Sequence, residues 1–450
     1  MNAELAIKNC RIVNSRVTYD GVIYISDGKI IGITQSFEGK PGEVIDAQGL
    51  FVLPGAIDGH IHMMDPGYTD REDFITGTGA AARGGVTTVI ELPNQSRPLV
   101  FAAEGLKQKK DYLSERSLVD FGLMGGLNLE HKKDLKDMWD AGVLGFKGFT
   151  TARPGEQVLV AGYLAEIFEE LKSFDGVALI HAEDDSILKY NERKLKDSGR
   201  KDFLSVSEWR SREAEAMAVK QVIDVAETVG ARVAIAHVSL PELIHYIWLA
   251  KGRGARVYSE TCPQYFTLTE EDLAKRGPFN KFTPPARKRE DAEGIWRNLK
   301  MDQIDMVNSD HCPHSREVKE KGLDDIWEAP FGIPGVETTT RLLLDGVTRG
   351  LISINQVVRL RSENPSSIFG LGDQKGFIEV GYDADLIFAD LDREAMLNDD
   401  DVVSKCKWTP YSGRKIRGDI TLTMVRGEVV MKDGQILGSP GWGRFVTRSQ

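Results

Sequence analysis

Eight short apolar runs, separated by longer and more charged stretches, constrain this chain more than any other feature. They are Phe51 to His62, Val86 to Ile90, Val119 to Met124, Gly142 to Lys147, Val177 to His181, Val233 to His237, Ala255 to Glu260 and Ile304 to His311. The stretches between them have helical character. Ser207 to Val229, for example, sets Ala214, Met217, Ala218, Val222 and Ile223 at helical spacing. Eight strand–helix alternations predict an α/β fold, a (β/α)8 TIM barrel over residues 53–375. A doubly wound open sheet is the alternative.

The flanks change rhythm. Leu5 to Val13, Gly21 to Ile25 and Lys29 to Ile33 read as short strands, with Asp27-Gly28 as a hairpin turn. After residue 375, Gly376 to Phe388 reads as a hairpin and Ile420 to Val430 as further strands. The simplest topology joins residues 1–52 and 376–450 into one small β-sandwich domain beside the barrel. Gly441 to Gln450 is then expected as an arm laid on a neighbouring subunit.

Charge and composition exclude several classes of function. The formal net charge is -11 and no basic stripe is present, which argues against a nucleic-acid partner. No apolar run is long enough to span a bilayer, and Met1-Asn2-Ala3-Glu4 does not open a signal peptide. The four cysteines, Cys10, Cys262, Cys312 and Cys406, are far apart. They are expected as reduced thiols in a cytoplasmic protein.

Catalytic residues of a (β/α)8 barrel gather at the C-terminal ends of its strands. Here those ends carry His60, His62, Lys147, His181, His237 and Asp310, including four of the eight histidines in the chain. His60 and His62, two residues apart, would share one face of a strand. Imidazole and carboxylate suit zinc or another divalent transition metal. Lys147 stands apart, because a buried amine is costly unless neutralised or paired. It reads either as half of an ion pair or as a carbamate, formed with carbon dioxide and able to bridge two cations.

The motifs carrying these residues are specific. They include Pro54-Gly55-x-Ile57-Asp58-x-His60-x-His62, Gly145-Phe146-Lys147, His181-Ala182-Glu183 and His237-Val238-Ser239. Glu260-Thr261-Cys262-Pro263-Gln264-Tyr265, Ser309-Asp310-His311 and Gly381-x-Asp383-Ala384-Asp385-Leu386 complete the set. Over essentially its full length the chain resembles the cyclic amidohydrolases: hydantoinases and dihydropyrimidinases, allantoinases and dihydroorotases. The resemblance implies a barrel of the metal-dependent amidohydrolase type, with two divalent metal ions, zinc being the expected one. His60, His62 and Asp310 would hold one ion and His181 and His237 the other. Lys147, as N6-carboxylysine, would bridge them. Asp310 would act as general base and then general acid in the hydrolytic opening of a cyclic amide. Asp58 and Glu183 would orient the ligand histidines. Such relatives are homo-oligomers, dimers or tetramers.

The substrate loops resemble different branches. Dihydroorotases carry an arginine for the substrate carboxylate two residues after the second metal histidine; here Met64 follows Met63. Arg97 and Arg153 are the candidates to replace it. Asn94, His314 and the run holding Phe331 and Gly332 are nevertheless dihydroorotase-like. D-selective hydantoinases place a tyrosine five residues after the bridging lysine, where this chain has Ala152. Thr150 or Thr151 is the expected substitute, and the loop looks more like that of L-selective hydantoinases. Residues 65–74 and 409–414 look allantoinase-like. The reading is a ring opener for an uncharged five-membered ureide, hydantoin or allantoin in type, with the methionine pair suiting an apolar substituent. Dihydroorotase is the main alternative, and a non-catalytic scaffold the lesser one. Asn94, Thr150, His314, Phe331 and Gly332 are the expected substrate contacts.

Overall fold

The computed structural model of the protein describes residues 3–448. Five strands come first: β1 (Leu5–Val13), β2 (Thr18–Ser26), β3 (Lys29–Thr34), β4 (Glu43–Asp46) and β5 (Phe51–Pro54). Eight follow with helices between them: β6 (Ala56–Ile61), β7 (Val86–Glu91), β8 (Asp120–Gly126), β9 (Gly145–Phe149), β10 (Val177–His181), β11 (Arg232–Ile235), β12 (Val257–Thr261) and β13 (Met306–Val307). The chain ends with β14 (Leu386–Leu397), β15 (Arg414–Val425), β16 (Glu428–Lys432) and β17 (Gln435–Ile436).

β6 to β13 form one parallel sheet in sequence order. It curls until Ile61 makes a parallel bridge with His311, where the His62 N–H donates to the His311 carbonyl at 2.7 Å. β13 is only two residues long, so side chains reinforce this seam. Asn308 Oδ1 accepts from the Gly59 N–H at 3.0 Å, and Asp58 Oδ1 accepts from the Ser309 N–H at 3.2 Å. All eight predicted barrel runs contain an observed strand.

The other nine strands join in one mixed sheet, ordered β17-β16-β15-β14-β5-β1-β2-β3 with β4 paired on β1. Both chain ends therefore build the second unit. β5 links them, pairing parallel with β1 and antiparallel with β14. Ile7, Ile12, Ile23 and Ile30 from one end share a buried cluster with Leu386, Phe388 and Met424 from the other.

Four local readings change. The run Phe51 to His62 is two strands in two sheets. At the junction the Gly55 N–H donates to Asp385 of the mixed-sheet side, and the Ala56 N–H to Gly85 of the barrel side. Only glycine fits there, since a Cβ on Gly55 would lie 2.1 Å from Thr87 Oγ1. Gly376 to Phe388 is no hairpin: strand structure starts at Leu386, because Asp383 and Asp385 turn inward to the buried Lys375 amine at 2.8 and 2.7 Å. The helix expected over Ser207 to Val229 is broken in two, a short helical turn at Ser205–Trp209 and a helix at Arg212–Val229 capped by Ser211, and Met217 is 58% exposed on the latter. The C-terminal arm lies on its own barrel. Phe121 donates to Arg444 O at 2.9 Å and Val446 donates to Phe121 O at 2.8 Å, completing a short parallel pairing beside β8. Ser449 and Gln450, like Met1 and Asn2, lie outside the described residues. Among the described residues no helix is long and apolar enough to cross a membrane.

Candidate functional site

The six ligand-type side chains converge at the C-terminal mouth of the barrel. His60 sits in β6 and His62 just beyond it, Lys147 in β9, and His181 ends β10. His237 and Asp310 follow β11 and β13. Both take a left-handed backbone, with φ of 39° and 48°, which is uncommon off glycine and concentrates at functional positions. The His181 and His237 rings are 4.5 Å apart between centroids, and His60 lies 5.4 Å from His237. Asp310 Oδ1 is 3.3 Å from His60 Nε2 and 3.4 Å from His62 Nε2. The Lys147 amine is 3.4 Å from His60 Nε2.

The donor set fits divalent cations. Ligand atoms of His60, His237 and Asp310 all lie within 4.8 Å of one another, so this trio draws on both of the expected ligand sets. The buried Nδ1 atoms of His62 and His237 have no hydrogen-bond partner. Burial drives His62 down to about 3 and His181 and His237 well below the ordinary imidazole value, so the rings are neutral, as ligands must be. Burial also lowers Lys147 to about 8. Asp310 is held below the usual carboxylate range: burial works against its charge, but His60, His62 and His237 outweigh it.

A second layer fixes the rings. Glu260 Oε1 is 2.7 Å from His60 Nδ1, which directs Nε2 inward. Glu183 Oε2 is 2.6 Å from His181 Nε2 and is itself held by Arg210 at 3.0 Å and Thr283 at 2.7 Å. Asp58 acts on the backbone instead, accepting from the His60 and Ser309 N–H groups while pairing with Arg361 at 3.3 Å. Glu260 carried no role in the sequence, because a carboxylate that turns inward from a strand leaves no periodic signal.

The family model for the amidohydrolase family matches residues 51–430. The chain belongs to the amidohydrolase family. It is 35% identical to the L-hydantoinase of Paenarthrobacter aurescens, over 99% of this chain and 98% of that protein. It is 34% identical to the dihydroorotase of Methanosarcina acetivorans, over 99% of this chain and 96% of that protein. The solved structure of L-hydantoinase (dihydropyrimidinase) from Arthrobacter aurescens superposes with a TM-score of 0.97 at 34% identity, covering 99% of this chain and 100% of that one. Hydrolysis in this family is metal-dependent, in keeping with the donor set above.

Beside its ligand residues this amidohydrolase has a small cavity. Phe331 and Gly332, two of the five residues proposed from the sequence as substrate contacts, line it, and so do Gln95, Phe149, Arg153, Phe282, Thr283 and Cys312. Gly332 has a φ of 124° and its Cβ position lies 2.3 Å from the Cys312 carbonyl, so glycine is required. Asn94, Thr150 and His314 do not line the cavity. The Thr150 hydroxyl donates to the Glu183 carbonyl at 2.8 Å and accepts from the Glu183 N–H at 3.0 Å. His314 Nε2 faces Arg71 at 2.7 Å and the Phe331 carbonyl at 3.1 Å. Met63 packs in the core against Gly77, and Met64 is also fully buried; neither lines the cavity. The four cysteines are free and buried.

Proposed function

We propose that this amidohydrolase opens the ring of a five-membered cyclic ureide, hydantoin or allantoin in type, by hydrolysis. The observation that carries the reading is the meeting of four buried histidines, a buried lysine and a charged aspartate at one barrel mouth. In this reading His60, His62 and Asp310 would hold one zinc ion, His181 and His237 would hold a second, and Lys147, as its carbamate, would supply a shared anionic ligand. When bound, the cation pair supplies hydroxide near neutral pH and polarises the ring carbonyl.

The protein's own groups do the rest. A lysine brought to about 8 has enough free amine near neutrality to add to carbon dioxide. Asp310, charged across the physiological range, takes a proton on its carboxylate and returns it to the ring nitrogen as the C–N bond breaks. The net change adds water across that bond: oxygen to the carbonyl carbon and hydrogen to nitrogen. Phe149, Phe282 and Phe331 exclude bulk water from the cavity. The enzyme works in the cytoplasm as a homo-oligomer, a tetramer or dimer, which light scattering would read.

The test is a ring-opening assay of zinc-supplemented protein on allantoin, L- and D-5-benzylhydantoin, dihydrouracil and L-dihydroorotate. Turnover of allantoin or a hydantoin supports the reading and names the branch. Turnover of L-dihydroorotate alone replaces it with dihydroorotase.

A further inference from the structure

Arg153, one of the two arginines expected to stand in for a carboxylate-binding arginine, takes no part in the ring-opening reading, yet it lines the cavity. It lies over the Phe149 ring at 4.8 Å, and among the described residues its one side-chain hydrogen-bond contact is Nη2 to His181 Nδ1 at 3.4 Å. It makes no ion pair among the described residues. The other arginines nearby are engaged: Arg71 with His314 and Gln95, Arg97 with the Ser96 carbonyl and the Tyr68 ring, Arg210 with Glu183. Glu156, on the same loop, has both carboxyl oxygens buried without a partner. Burial pushes it up to about 7, which weakens it as a counter-ion.

A planar guanidinium seeks a carboxylate it can grip through two N–H groups. The free space in the cavity is about 40 Å³, close to that of one water molecule. A ring must therefore displace part of the lining, and the Arg153 guanidinium is a lining group that no carboxylate holds in place among the described residues. An anionic side arm gives the displaced cation a partner, and a neutral arm does not. The apolar substituent expected from Met63 and Met64 loses its support, since neither side chain faces the cavity.

We propose that Arg153 is a specificity-determining residue that pairs with a carboxylate carried on the substrate ring, so that the site takes an anionic cyclic ureide. This rests on the ring-opening reading for its choice of ring. A carboxyalkyl hydantoin and dihydroorotate share the required chemistry, and the test separates them.

Zinc-loaded protein is given matched pairs: 5-(2-carboxyethyl)hydantoin against 5-(2-carbamoylethyl)hydantoin, and L-dihydroorotate against dihydrouracil, with unsubstituted hydantoin as reference. Rings that are opened are compared by kcat/KM, and rings that are not by calorimetric Kd. The acid of at least one pair is expected to be preferred by at least about 10-fold, the scale of one charge-assisted hydrogen bond. That preference should collapse in Arg153→Met and survive in part in Arg153→Lys, with zinc content unchanged. The loss should fall on KM more than on kcat. Preference for neither acid in the wild-type protein overturns the proposal without need of a variant. So does an equal loss in Arg153→Met on the preferred acid and on unsubstituted hydantoin. If no ring is opened, the ring-opening reading fails, while the Kd ratios still decide the role of Arg153.

Discussion

Glu260 Oε1 lies 2.7 Å from His60 Nδ1, and the same oxygen accepts the His237 backbone N–H at 3.0 Å. One carboxylate on β12 therefore sets a ring on β6 and the backbone after β11. Asn308 steadies its other oxygen at 2.8 Å. Loss of a group that orients a metal-bound histidine typically costs 10- to 100-fold in metal affinity or activity. Glu260→Gln is expected to lower zinc affinity by about that factor, read by titration against a chelator. Unchanged affinity would remove the orienting role.

Lys147 is fully enclosed, and burial lowers it to about 8. As a carbamate it would supply the anionic charge between the cations. Lys147→Ala is expected to bind much less metal by elemental analysis. Short carboxylic acids added in solution should restore part of the activity. Full metal content in the variant would rule out the bridging role.

Asp310 combines a left-handed backbone with a depressed carboxyl, and both place a charged oxygen between the rings of His60 and His62. Asp310→Asn keeps the shape and removes the proton acceptor. The fold should survive by circular dichroism while kcat falls by about 10²- to 10⁴-fold, the usual range for a general acid–base group. Near-normal turnover would mean that the proton travels elsewhere.

The barrel and the convergence of its six ligand-type residues were legible because apolar strands end in such a residue, a local pattern. What the sequence hid depends on contacts between distant segments. Thr150 stands three residues after Lys147, yet its hydroxyl is spent on the Glu183 backbone. Met64 follows His60 and His62 closely, yet it is fully buried and does not line the cavity. Gln95 rather than Asn94 lines the cavity, a difference of one residue in a loop that no periodicity governs. The split of Phe51 to His62 between two sheets was likewise invisible as a change in hydrophobicity. It follows from Gly55, where Thr87 leaves no room for a side chain.

Two buried lysines hold the loop that bears Phe331 and Gly332. Lys319 Nζ donates to the carbonyls of Lys281, Pro330 and Gly332 at 3.2, 3.0 and 2.9 Å, and Lys281 Nζ donates to those of Ile326 and Ala329 at 2.7 and 2.5 Å. Neither amine has a carboxylate partner among the described residues, so each acts as a hydrogen-bond hub. Lys319→Met leaves three carbonyls, of which that of Gly332 belongs to the cavity lining, without this donor, at about 1–3 kcal/mol for each one that water cannot reach. A raised KM and a lower unfolding midpoint are expected, with zinc content unchanged. Unaltered KM would separate the staple from substrate binding.

Lys375 joins the barrel to the mixed sheet. Its buried amine reaches Asp120 at the start of β8 at 2.6 Å, Asp383 at 2.8 Å and Asp385 at 2.7 Å, and Arg426 also pairs with Asp120. Although burial opposes its charge, Asp385 and Asp383 raise the Lys375 amine above its ordinary value. Its contribution is full below the unfolded value of about 10.4 and is lost only as pH rises through the higher folded value. Asp383 runs the other way: against burial, Lys375 and Lys29 hold its carboxyl below the usual range. Its contribution is present above the unfolded value of about 3.9 and is lost as pH falls through the folded one. Lys375 and Asp383 should therefore stabilise the wild-type protein evenly from about pH 5 to pH 10, while Asp385, whose carboxyl burial raises despite Lys375, contributes stability that is lost as pH rises through its folded value. Lys375→Met strips the counter-charge and is expected to cost about 3–5 kcal/mol near neutrality. In the variant, Asp383 and Asp385 would have raised values, and the folded state would bind more protons than the unfolded one. Its stability should then rise as pH is lowered from 7 towards 5 more steeply than in the wild-type protein, where burial raises Asp385 alone. Urea unfolding of both proteins across that range checks the sign, and parallel curves would show that Lys375 is not the neutralising group.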